Sequence, residues 1–116
     1  MKGVKIVNRP WGTFKQFALN KKCTVKILNV NPNQELSLQR HKKRSENWYF
    51  ITSGFVQIEN KKNKIKKGNL IRIGKNISHR LIAGNKKVEV LEISFGKFSE
   101  KDEIRDEDKY NRKNEK

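Results

Sequence analysis

The sequence predicts an all-β domain, an antiparallel sandwich or barrel, on three observations. The dominant hydrophobic period is two, the apolar runs are short and rich in β-branched and aromatic residues, and no helical stripe competes with them. A chain of 116 residues has room for one such domain and excludes a two-lobed α/β enzyme. The first run, 13–19, carries Phe14, Phe17 and Leu19, and the second, 23–30, alternates Cys23, Val25 and Ile27 with Thr24 and Lys26. After the turn Asn31-Pro32-Asn33 come 35–39 and, beyond a lysine turn, 48–51. Ser53-Gly54 leads into 55–59, the Asn60 to Lys62 turn and Lys67-Gly68 precede 69–73, and Gly84-Asn85 separates 79–83 from 88–95. About eight strands spaced roughly ten residues apart suit a closed architecture that also protects its edges. Residues 99–116 are polar apart from Ile104 and Tyr110 and are expected to form a short helix or an arm lying on the barrel of 1–98.

Charge is unevenly spread. The chain holds 28 Lys+Arg against 12 Asp+Glu, a net +16, and is 34% hydrophobic. Residues 1–98 contain 22 bases and five acids, so the body is +17, while 99–116 contain six bases and seven acids and sum to −1. Such a body attracts phosphates of any kind, and the field does not choose among nucleic acid, nucleotide and sugar phosphate. Runs such as Asn60-Lys61-Lys62-Asn63-Lys64 read as solvated turns, because their lysines are not interleaved with base-stacking aromatics. Nucleic-acid binding through the body stays as a rival, recognisable by steep salt dependence with real affinity near physiological ionic strength. No apolar run approaches the roughly 20 residues of a membrane span, and Met1 to Lys5 lacks a signal-peptide core, so a cytoplasmic location is expected. The single Cys23 cannot form an internal disulfide and is expected to be a small buried hydrophobe.

The residues able to carry chemistry concentrate in Gln39-Arg40-His41-Lys42-Lys43-Arg44-Ser45-Glu46. Period two puts Gln39 with His41 on one face and, past the turn at Lys42-Lys43, Arg44 with Glu46 and Trp48 on another. His79 opens a strand further along. Two imidazoles, a carboxylate and an amide oxygen from separate strands can surround one divalent ion and leave room for substrate. By spacing alone this competes with two ordinary structural histidines.

A family resemblance weighs in. The stretch from Pro32-Asn33 to Gly54, with Gln39, His41 and Glu46 in register, resembles the first cupin motif, and Gly68 through His79 to Asn85 resembles the second. Arg9-Pro10-Trp11-Gly12, Leu36-Ser37-Leu38-Gln39, Arg44-Ser45-Glu46, Trp48, His79-Arg80, Glu92 and the segment 100–112 are similar to the isomerase domain of bifunctional mannose-6-phosphate isomerase/mannose-1-phosphate guanylyltransferase enzymes, over residues 9–112. The resemblance implies a cupin double-stranded β-helix (jelly-roll) barrel and interconversion of mannose 6-phosphate with fructose 6-phosphate. It also implies one divalent metal on Gln39, His41, Glu46 and His79. Zinc leads the metals, with iron, manganese, cobalt and nickel suiting the same donors. Three departures stand out: Asn33 where cupins prefer glycine, Ile73-Gly74-Lys75-Asn76 in place of the usual Pro and Gly, and Ser94 where the family usually has glutamine. The Gly-rich nucleotide loop of the nucleotidyltransferase part is absent, so the chain is not expected to make a nucleotide sugar by itself.

Isomerisation through an enediol needs a Lewis acid for O1 and O2 and a base over one face of C1-C2. Glu92 is the base candidate if the Val90-Glu92-Ser94 face lines the barrel; otherwise it is a paired carboxylate, and a water activated by metal coordination is the competing base. Arg44 is the first choice for phosphate and for the catalytic cation, followed by Lys26, which either reaches the cavity or snorkels, Arg80, whose parity opposes that of His79, and Arg105. Arg105 and Arg112 match the family pattern, so the arm is expected to fold over the mouth or to neutralise the basic body. Trp11, Trp48, Phe50 and Phe55 are expected to pack the barrel. A thin apolar core makes a homodimer the expected assembly, with a sugar phosphate as ligand and no specific nucleic acid or membrane partner. The rival from another class is a non-catalytic sugar-phosphate or nucleotide-sugar binding cupin that assists a separate guanylyltransferase.

Overall fold

A computed structural model of the chain describes residues 3–97, 99 and 101–107. Among them are eleven strands and no helix: β1 (Lys5–Arg9), β2 (Gly12–Gln16), β3 (Cys23–Val30), β4 (Leu38–Arg40), β5 (Arg44–Phe50), β6 (Gly54–Ile58), β7 (Lys61–Ile65), β8 (Leu70–Ile73), β9 (His79–Ile82), β10 (Val88–Gly96) and β11 (Ile104–Glu107). β1 and β2 form a separate hairpin, and the rest make two antiparallel sheets in the orders β3-β10-β5-β8 and β11-β4-β9-β6-β7. Trp48, Phe50 and Val90 from the first sheet pack against Val56 and Leu81 from the second, an apolar layer that closes one end of the space between them. The polar residues described below occupy the same interior further along the strands.

Three strands lie where the sequence carries no apolar alternation. β7 runs through the lysine-rich stretch read as turns and is held by its full register with β6. β11, in the segment expected to be a short helix or an arm on the barrel, is an edge strand paired to β4. β1 is fixed by the register Lys5↔Gln16 to Arg9↔Gly12.

β3 also corrects the expectation of a buried Cys23. Its inward residues are Thr24, Lys26, Leu28 and Val30, so Val25 and Ile27 face out, each 56% exposed, and Cys23 is exposed with them. Along that inward face Lys26 and Leu28 border the cavity, while Leu28 and Val30 also join the apolar layer. Trp11 sits in the β1–β2 turn at 73% exposure and does not pack the core, whereas Trp48 and Phe50 do. Asn33 takes the left-handed conformation (φ 62°) that glycine would supply, as its replacement of a turn glycine requires.

Gly96 ends β10 opposite Arg44, at φ 108°. A Cβ there would lie 2.5 Å from the Lys43 carbonyl oxygen, a backbone atom that cannot swing aside. Gly96→Ala is therefore expected to lower unfolding stability by about 3 kcal/mol, combining backbone strain with a steric clash. Urea unfolding checks it, and a midpoint equal to that of the parent would refute the assigned backbone.

Candidate metal centre

β-strand parity and register assemble the site. β4 places Gln39 opposite His79 of β9, and His41 follows just past the end of β4. β5 sends Arg44, Glu46 and Trp48 inward, and its register with β10 sets Glu46 beside Ser94 and Trp48 beside Glu92. β10 pairs Glu92 with Lys26 on its other side. The Val90-Glu92-Ser94 face is the buried one that the base hypothesis requires. Together Gln39, His41, Arg44, Glu46, His79, Glu92, Lys26 and Glu103 line a cavity of about 170 Å³. A larger cleft of about 490 Å³ lies outside the barrel, against the β1–β2 hairpin; Phe17, Leu19, Arg72 and Phe95 help to line it, and no acid or histidine does.

At the centre His41, Glu46 and His79 are all buried, with one donor atom from each within 4.8 Å of the others. His79 Nδ1 lies 2.8 Å from the Ile77 carbonyl oxygen, which can only accept, so that nitrogen carries a proton and Nε2 is the one left to offer a lone pair to a cation. Nε2 faces Glu46 Oε1 at 3.2 Å, and neither atom has a hydrogen-bond partner. The other Glu46 oxygen, Oε2, accepts from Arg44 Nε at 3.2 Å and from the Ser94 hydroxyl at 3.1 Å. Ser94 thus orients a carboxylate in the interior.

Two buried acceptor atoms facing each other without a donor are costly, each about 1–3 kcal/mol, unless a cation stands between them. The donor set fits a divalent ion. Burial pushes the Glu46 carboxyl up, but hydrogen bonding and charge from His79 when its ring carries a second proton, with the charges of His41 and Arg44, outweigh it and bring the group to about 2.

Arg44 is buried and committed within the site: besides Glu46, its Nη2 donates to His41 Nε2 at 2.9 Å and its Nη1 to the Ser99 carbonyl at 3.4 Å. Lys26 lines the cavity instead of snorkelling. Arg80 is not brought there. Its opposite parity turns it to Glu35 and Glu107, each at 2.6 Å, so it clasps β11 against the sheet. Arg105 donates to Glu103 at 2.8 Å, and Arg112 lies outside the described residues. Asn76, in the stretch that departs from the family pattern, adopts φ 60° and donates its N–H to the His41 carbonyl at 2.6 Å.

Glu92 has the opposite electrostatics to Glu46. Burial, reinforced by the negative charge of Glu46, pushes its carboxyl from 4.5 up to about 7, against Arg44, the Trp48 indole N–H at 3.1 Å and Lys26. Two carboxyls with such separated affinities, one ionised and one near neutrality, are what a site with distinct charge-holding and proton-moving groups needs.

Sequence reasoning missed Glu103 as a lining residue. Its Oε1 lies 3.9 Å from His41 Nε2, and contact with His41, opposed by burial and aided by Arg105, holds the carboxyl below its usual range. Nothing in the acidic arm marks this glutamate from its neighbours, since β11 itself was not legible.

The family described as Mannose-6-phosphate isomerase C-terminal matches residues 2–108. The chain is 31% identical over 112 residues to the xanthan biosynthesis protein XanB of Xanthomonas campestris pv. campestris, covering 91% of this chain and 23% of that protein. It is 29% identical over 109 residues to the mannose-1-phosphate guanylyltransferase ManC of Salmonella typhimurium, again with 91% and 23% coverage. The chain therefore spans 23% of the length of these relatives. Among solved structures, a cupin protein from Bacteroides fragilis superposes with a TM-score of 0.60 at 21% identity, covering 72% of each chain, which shows the cupin fold.

Proposed function

Because the chain belongs to the family of mannose-6-phosphate isomerase C-terminal domains, we propose that it is a metal-dependent aldose-ketose isomerase that interconverts mannose 6-phosphate and fructose 6-phosphate through an open-chain enediol. The observation that carries this reading is the buried, unpartnered pair Glu46 Oε1 and His79 Nε2, 3.2 Å apart in a cavity that Glu92 also lines. Gln39, His41, Glu46 and His79 would hold the divalent ion, zinc first among the candidates. When bound, the ion stabilises negative charge on O1 and O2 of the enediol.

The chain's own groups do the rest. Glu92, held by the Trp48 N–H and near neutral in affinity, moves the proton between C2 and C1. Arg44 keeps Glu46 ionised and oriented, a charge-holding role in place of the phosphate contact expected from sequence. Lys26 at the cavity wall and Arg105 beside Glu103 are the cations suited to the phosphate. The relatives named for xanthan biosynthesis and guanylyl transfer support a place in mannose activation for polysaccharide synthesis, and the proposal places that work in the cytoplasm. Among the described residues no helix is long and apolar enough to cross a membrane.

A coupled assay on fructose 6-phosphate, with the protein stripped by chelator and reloaded with zinc, iron, manganese, cobalt or nickel, is expected to give turnover with at least one metal and none without. No turnover with any metal would defeat the reading. Thermal stabilisation by the sugar phosphate without conversion would instead favour a binding cupin assisting a separate guanylyltransferase, a role compatible with the chain's 23% span of its ManC relative.

The same proposal includes a homodimer, supported by the outward Val25 and Ile27 on β3, an edge strand with an open backbone ladder. Light scattering is expected to give twice the chain mass, and a monomer at micromolar concentration would end this part of the proposal.

A further inference from the structure

His41 stands in a weak place. It lies beyond the end of the three-residue β4, followed by the bend at Lys42 and Lys43; Asn76 ties back its carbonyl and Arg44 Nη2 its ring, while the N–H groups of the bend have no partner in either sheet among the described residues. The arm supplies the remaining restraint. The Asp102 carboxylate accepts the backbone N–H groups of Lys42 at 3.0 Å and Lys43 at 2.8 Å. Glu103 reaches His41 from the next position, braced by Arg105, and the Ser99 carbonyl accepts from Arg44. Each residue from His41 to Arg44 is thus touched by the arm. Beyond these contacts β11 is anchored by its register with β4 and by Asp106, which accepts from the Ser78 hydroxyl at 2.7 Å and pairs with Arg40 at 3.5 Å.

The geometry points to the arm as a working part of the metal centre: Asp102 and Glu103 are positioning residues that hold the His41 segment in ligating geometry, so that cation binding and arm docking stabilise one another. This rests on the metal reading given above. Groups that orient a ligand from outside the coordination sphere typically change metal affinity by about 10–100-fold, and linkage makes the effect reciprocal.

The test uses the full chain with zinc as the probe. Zinc affinity is measured by competition with a chromophoric chelator, and amide hydrogen exchange of β11 is followed with and without zinc. Asp102→Asn and Glu103→Gln are each expected to weaken zinc binding about 10–100-fold, with Glu103→Asp recovering part of the loss. In the parent, zinc is expected to slow exchange at 104–107. Exchange in the parent needs no substitution, so the inference stays testable if a variant fails to fold. Variants that bind zinc as tightly as the parent, or β11 amides indifferent to zinc in a parent that binds it, overturn the inference and leave the metal centre standing. A parent that takes up neither zinc nor, in the same competition, iron, manganese, cobalt or nickel overturns both.

Discussion

His79→Ala is expected to reduce metal affinity by well over about 100-fold and to abolish isomerase turnover with it, because loss of a direct ligand exceeds the 10–100-fold cost of losing an orienting neighbour. The argument rests on one fixed tautomer. The Ile77 carbonyl accepts the hydrogen bond from Nδ1–H, so Nε2 is the nitrogen that faces Glu46 Oε1 and is free to ligate. No other described side chain can substitute from that strand: Arg80 has the opposite parity, and Leu81 belongs to the apolar layer. The imidazole also packs edge-on against the Trp48 ring, with centroids 5.3 Å apart, so the truncation leaves a void in the interior. A stability loss of about 2–3 kcal/mol accompanies it. Elemental analysis after gel filtration and near-ultraviolet circular dichroism of Trp48 separate the two effects: metal should be lost from protein that is still folded. Full metal occupancy in the folded variant would remove His79 from the centre.

Much of this site was legible because period two is a rigid rule. It placed Gln39 with His41, Arg44 with Glu46 and Trp48, and Glu92 with Val90 and Ser94, and it turned Arg80 away from His79; the partners these side chains meet follow the same parity, although Asn47, Arg80 and Ile93 on the opposite faces are buried as well. What parity cannot give is depth or partner. Arg44 shares the face of Glu46, but only the fold shows that its guanidinium is committed to Glu46, His41 and Ser99.

Elsewhere the pattern misled for a physical reason. On β3 the alternation left open whether Lys26 reached the cavity or the solvent and led Cys23 to be read as buried; the strand turns Lys26 inward with Leu28 and Val30 and leaves Cys23, Val25 and Ile27 on the outer surface. β7 and β11 are made by partners, not by their own composition. The lysines of β7 are held by the β6 ladder, and the acids of β11 are held by β4, Arg40 and Arg80. Glu103 entered the cavity only once β11 was in place.

Glu92→Gln is expected to lower kcat by about 100- to 10,000-fold, the range for removing a positioned general base, while metal content and KM stay close to those of the parent. The ionised carboxylate is the active form, so the activity of the parent should rise with pH along a limb displaced above the ordinary carboxylate range. That limb should vanish from the residual activity of the variant. The same shift predicts an effect on folding in the metal-free protein. The folded value, about 7, exceeds the ordinary 4.5, so the folded state binds this proton more tightly than the unfolded chain. The stability it contributes is fully present below about 4.5 and is lost as pH rises through about 7. Between pH 5 and 8 the parent should therefore lose on the order of 2–3 kcal/mol relative to the glutamine variant, which has no proton to release. Urea unfolding of both proteins across that range checks the sign. Parallel stability curves would mean that Glu92 titrates as an ordinary carboxylate, and a variant with undiminished kcat would move the base to another group.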